Sequence, residues 1–129
     1  MSSITSREHF DGFCVVRRPT SLGIEYHYGV HFSDGSVAHL LLDQGVQIVS
    51  LEDFACGYKI HLVRKIERAR EGDAKRRALE AIRLRRRYHL LNWNCETFAN
   101  WVADGKPVSH AITAWAIIFL LCVLVLGPA

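Results

Sequence analysis

Ser33-Asp34-Gly35 separates two β-prone runs, Ile24 to Phe32 and Val37 to Leu42, and the length of that loop decides which side chains share a face. A two-residue Asp34-Gly35 turn would set His39 opposite Val30 and bury it beside Tyr28, Val30 and Phe32. A three-residue loop with Gly35 left-handed sets His39 opposite Gly29, with Ala38 facing Val30 and Leu40 facing Tyr28. The longer loop sorts both faces at once: one becomes uniformly apolar, and the other carries His27, Gly29, His31 and His39. It predicts positive φ at Gly35. It also makes His27 and His39 diagonal neighbours, roughly 7–8 Å apart between backbones and within side-chain reach.

Further strands are expected at Phe13 to Val16, ended by Pro19, at Val46 to Val49 after Gly45, and at Tyr58 to Ile66. Ser50 to Phe54 reads as a capped helical turn stopped by Gly57. Two longer helices follow. Asp73 is expected to cap the first, with Ala74, Ala78, Leu79 and Ile82 as its buried stripe; Asn94 caps the second, which buries Phe98, Ala99, Val102 and Ala103. Strands first and helices after make an α+β domain, a small antiparallel sheet with packed helices. At 129 residues the chain has room for one core.

The second of these helices opens on Cys95. Free backbone N–H groups and the positive end of the helix dipole in a first turn favour thiolate over thiol, so Cys95 is expected to react faster than Cys14 or Cys56. The plainer reading is a small buried residue that helps the helix pack. With Cys122 the four cysteines show no paired spacing, which suits free thiols in a reducing compartment. A zinc site from His27, His31, His39 and Cys95 has suitable ligand types, but no close cysteine pair or helical His-Glu motif supports one, and no cofactor is expected. His9, His61, His89 and His110 have no motif around them.

Charge is unevenly placed. Residues 64–87 hold eleven basic and four acidic residues, a balance of +7, whereas the whole chain carries +3. Such a segment is a solvated helix face or a surface held against anionic lipid. Nucleic acid is disfavoured, because the run lacks interleaved aromatics. From Ala111 to Leu126 there is no charged residue. Those sixteen residues extend to about 24 Å, and the rest of the tail approaches the roughly 30 Å of a bilayer core. Apolar character all round favours a transmembrane tail anchor over a core helix. The division expected is a domain over residues 1–107 and a tail over 108–129. No signal peptide precedes it, so the domain is expected on the cytoplasmic side.

His27-Tyr28-Gly29-Val30-His31-Phe32-Ser33-Asp34-Gly35, the second histidine His39, and the box Asn94-Cys95-Glu96-Thr97-Phe98 together resemble the lecithin retinol acyltransferase family and its H-Rev-type phospholipase/acyltransferase relatives. The resemblance runs from Phe13 to Val108. It implies a permuted papain-like (NlpC-type) arrangement, with Cys95 as nucleophile, His27 as general base, and His39 as the residue that orients the imidazole. Both histidines are expected to project to the Cys95 side of the sheet, and His31, on their face, is a rival base. It implies acyl transfer or hydrolysis on glycerophospholipid through a thioester, with phospholipid and membrane as partners and the acyl acceptor and oligomeric state open. Two positions depart from the family pattern: Thr97 stands where a histidine is common, and Tyr28 where tryptophan is. A thiol peptidase or amidase, and an inactive membrane adaptor of the same fold, are the alternatives.

Overall fold

The computed structural model describes residues 12–21, 25–86, 94–106 and 110–127, with side chains of the last segment from Trp115 on. Ile24, Arg87, His9, His89 and the expected domain boundary at Pro107 lie outside them.

Five antiparallel strands form one sheet: β1 (Cys14–Pro19), β2 (Tyr26–His31), β3 (Ser36–Leu41), β4 (Gly45–Ser50) and β5 (His61–Lys65), in the order β4-β3-β2-β1-β5. The longer hairpin loop is the one adopted. Gly35 has φ 89°, and the loop closes through the Phe32 amide on the Ser36 carbonyl (2.8 Å) and the Gly35 amide on the Phe32 carbonyl (3.0 Å). His39 pairs with Gly29 and Ala38 with Val30, as the face-sorting argument requires. Pro19 sits at the end of β1, where its missing N–H disturbs least.

The apolar face carries Val15, Val30, Phe32, Ala38 and Leu40 against two helices, α2 (Glu71–Arg83) and α3 (Cys95–Asp104). Helix α3 presents Phe98, Ala99, Val102 and Ala103, as its spacing predicts, and ends on left-handed Gly105. Helix α2 differs from expectation in two respects. It begins at Glu71, so Asp73 lies inside its first turn rather than at the cap. Its buried stripe is Ala74, Ala78 and Ala81, whereas Leu79 and Ile82 are exposed. An alanine stripe lets α2 approach closely where larger side chains would hold it off. Glu71 accepts from the Ser33 amide (2.9 Å) and hydroxyl (2.7 Å), and Lys75 reaches Asp34 (2.6 Å), so the start of α2 is tied to the hairpin loop.

The opposite face is covered by α1 (Leu51–Ala55), capped by Ser50 and ended by Cys56 in the left-handed region (φ 49°). Phe54 from α1 packs with Cys14, Val16, Val37 and Ile60.

The apolar tail forms α4 (His110–Leu126), 17 residues or about 26 Å long. Among the described residues no helix is long and apolar enough to cross a membrane. The helix does not pack as core, since Trp115, Phe119, Leu124 and Val125 are each more than 70 % exposed.

Candidate active site

Three features of β2, β3 and α3 converge near one end of the sheet. Pairing between β2 and β3 covers only Gly29–His31 with Val37–His39, although both strands continue past it. Helix α3 starts beside the segment of β2 left over. The Cys95 sulfur lies 3.8 Å from the Tyr26 carbonyl, and the Tyr28 amide also acts on it, so it meets the strand on both sides of His27.

His27 and His39 are buried, and His27 Nε2 lies 2.9 Å from His39 Nδ1. The rings meet edge to face, with centroids 5.1 Å apart. One nitrogen donates and the other accepts. Either way His39 Nε2, also buried, has no hydrogen-bond partner among the described residues. Arg18, opposite His27 on β1, donates from Nε to the Phe54 carbonyl (2.6 Å) at the edge of the same cluster.

The expectation that both histidines share the face covered by the Cys95 helix needs correction. They lie with Phe54 on the α1 face, because the strand alternation that gives Tyr28, Val30 and Leu40 to α3 turns His27 and His39 away. The sulfur meets β2 at the Tyr26 carbonyl and the Tyr28 amide, in the stretch where β2 and β3 have stopped pairing.

Electrostatics also depart from the thiolate expectation. Burial raises the Cys95 thiol above its ordinary value, outweighing the amides of Tyr28, Glu96 and Cys95 that pull it down. Burial lowers His27 to about 3, helped by His39 and Arg18, and lowers His39 to about 4, helped by Arg18. Near neutral pH the resting site is therefore a thiol beside two neutral imidazoles. A cation at Arg18 and a dry setting both oppose a second positive charge.

His31 is on the same face, but it sits at the hairpin end of β2, opposite Val37, where its Nδ1 donates to the Gly12 carbonyl (2.8 Å), four residues along the strand from His27. His61 lies exposed on β5, at the far edge of the sheet. No group of metal-ligating side chains that could hold an ion occurs among the described residues.

The two departures from the family pattern acquire structural meanings. Thr97 completes a capping box: the Asn94 side chain accepts from the Thr97 amide (2.9 Å), and Thr97 Oγ1 accepts from the Asn94 amide (2.7 Å). Tyr28 packs against the core while its phenol interacts with Arg17 on β1 and with Glu96, the residue after the cysteine. Sequence reasoning missed Phe54, whose ring lies against both histidines. No spacing in the chain links a residue on α1 to the hairpin.

The site is thus a cysteine opening a helix beside a paired His-His on the antiparallel sheet of a small α+β domain. The family model for lecithin retinol acyltransferase matches residues 11–108, and the chain belongs to that family. Its members are in general acyltransferases or phospholipases that use cysteine and histidine. Searches of curated proteins and of solved structures returned no match.

Proposed function

We propose that this chain is a membrane-anchored cysteine acyltransferase or phospholipase that acts on glycerophospholipids through a thioester on Cys95. The observation that carries the reading is the His27–His39 contact of 2.9 Å, made on the strand whose residues on either side of His27 meet the Cys95 sulfur. Such a fold is a permuted papain-like arrangement.

In this reading His27 carries its proton on Nε2, donates it to His39 Nδ1, and keeps Nδ1 free as the base. As Cys95 attacks the ester carbonyl, His27 takes the thiol proton, so charge separates only when the sulfur–carbon bond forms. Backbone amides at the start of α3 stabilise the oxyanion. Collapse breaks the ester bond, the proton passes from His27 to the departing alkoxide, and lysophospholipid leaves with the acyl chain on sulfur. Water then completes hydrolysis, or an amine or alcohol acceptor completes transfer. His39 holds the ring of His27 in place throughout.

Helix α4 supports the anchoring half of the proposal. An apolar helix exposed on all sides is unfavourable in water and favourable in hydrocarbon. The 17 described residues fall short of a full crossing by themselves, so in this reading they form an anchor that enters the bilayer, with the domain on the cytoplasmic side.

Incubating the full chain with a phospholipid extract should yield lysophospholipid and new acylated products, and a hydroxylamine-sensitive acyl adduct on Cys95. Cys95→Ser should yield neither. If no lipid product or adduct forms, the chain is an adaptor; cleavage of amide substrates with lipid untouched would make it a peptidase.

A further inference from the structure

Gly29 lies between the two histidines, opposite His39 on β3 and two residues along β2 from His27. Its φ is not in the left-handed region, so backbone freedom is not the reason for a glycine here. Space is the reason. A Cβ at residue 29 would lie 2.8 Å from Phe54 Cε2, 3.1 Å from Phe54 Cζ and 2.7 Å from Val37 Cγ1. The missing side chain leaves a slot in the α1 face, and the Phe54 ring fills it.

From that slot the ring touches both imidazoles. It stacks on His27, with centroids 5.4 Å apart and planes 28° from parallel, and meets His39 edge-on at 5.5 Å and 73°. Its own place is held from two sides. The Ser50 hydroxyl accepts from the Asp53 amide (3.1 Å) and sets the start of α1, while Arg18 Nε binds the Phe54 carbonyl (2.6 Å). Phe54 is fully buried.

Two imidazoles joined by one hydrogen bond can still rotate about their χ2 angles, and rotation of either ring breaks the contact. A hydrogen bond between neutral groups gains little net over bonds to water, too little to hold two rings by itself. A rigid aromatic surface against both restricts those rotations at little entropic cost. We propose that Phe54, seated in the slot left by Gly29, is a positioning residue that locks the His27–His39 pair in its hydrogen-bonded geometry. This deepens the proposed function, because it names what orients the base, and it concerns the pair whether or not Cys95 turns over lipid.

The lock is tested on the folded protein by NMR of the histidine ring nitrogens, with Phe54→Leu, Phe54→Met, Gly29→Ala and the Gly29→Ala/Phe54→Leu double variant. The other groups that act on the pair are the histidines on each other and Arg18, and all are kept. In the unaltered chain each ring should show one tautomer and titrate well below 6.5. Phe54→Leu, and Phe54→Met if the leucine variant does not fold, should average the tautomers and move both midpoints up by at least about one pH unit. Acylation of Cys95 by an activated ester should then fall by about 10- to 100-fold, chiefly in the rate constant rather than in ester binding. Gly29→Ala should perturb the same resonances, and the smaller leucine should relieve part of that effect in the double variant. Ile60→Val, a change in the same apolar cluster, is the control and should leave the imidazoles unmoved. The proposal is overturned if the Phe54 variants lower thermal stability yet leave both imidazoles with wild-type tautomers and midpoints. Altered imidazoles in a chain that never acylates Cys95 would uphold the lock and count against the proposed function alone.

Discussion

Thr97 shows how a single side chain fits two descriptions. Beside the family it stands in place of a common histidine; in the structure it closes the capping box that starts the helix of Cys95. Thr97→Val keeps the shape and removes the hydroxyl, leaving the Asn94 amide without its acceptor. Loss of such a cap costs about 1 kcal/mol, so the variant's urea midpoint should fall at unchanged m-value. Cys95 itself illustrates a competition of effects. The helix terminus favours thiolate, worth about 0.3–1 kcal/mol at an exposed site, but burial of the sulfur opposes it and prevails. Alkylation of Cys95 by iodoacetamide should therefore keep rising with pH through and beyond 9.0, the ordinary thiol value. A rate already at its plateau near pH 6 would show a resting thiolate instead.

Helix α2 packs through its smallest residues. Ala74, Ala78 and Ala81 are fully buried against the sheet and α3, so added volume there has nowhere to go. Ala78→Leu should cost about 1–3 kcal/mol by overpacking, measured by thermal unfolding, whereas Leu79→Ala on the exposed side should cost much less. The basic segment also has structural roles. Arg77 donates from Nε to the Val102 carbonyl (3.0 Å) at the end of α3, Arg64 reaches Asn100 (2.9 Å) and Asp104, and Arg76 and Arg83 pair with Asp73 and Glu80. Its formal charge thus overstates the field it offers a lipid surface, because several cations already face carbonyls or carboxylates.

At the scale of the molecule, the buried histidines tie stability to acidity. Unfolded, each takes up a proton near 6.5; folded, His27 does so only near 3 and His39 near 4. Between those values the unfolded chain binds more protons, so stability falls as pH drops from about 6.5 and the loss is complete only below the folded values. A tenfold difference in proton affinity between the folded and unfolded chain corresponds to about 1.4 kcal/mol. Melting temperatures measured from pH 7 to pH 4 should fall steadily, and His39→Gln should flatten that slope. The tail acts by delivery. Deletion of residues 111–129 removes a helix whose side chains from Trp115 to Leu126 are exposed, so the domain should remain folded and Cys95 should still react with a small activated ester. Its activity on bilayer phospholipid should drop, since the tether's high local concentration is lost. Turnover equal to that of the full chain would show that the tail has no part in catalysis at membranes.

Local chemistry settled much of this protein in advance. Asp34-Gly35 with the alternation on either side determined the hairpin register, Asn94 the start of α3, and the histidine and cysteine boxes the family, because each depends on residues close in sequence. What lay beyond reach depended on contacts between distant segments. Leu79 and Ile82 have the right period for a buried stripe, but α2 rotates toward its alanines because close approach to α3 leaves no room for larger side chains. The face occupied by the histidines was misread for a similar reason: periodicity separates two faces without saying which helix covers which. Phe54 stands against His27 and His39 only because α1 folds back over Gly29. The lowered acidities of both histidines and the raised one of Cys95 are likewise properties of burial, which arises when the tertiary fold removes those groups from water.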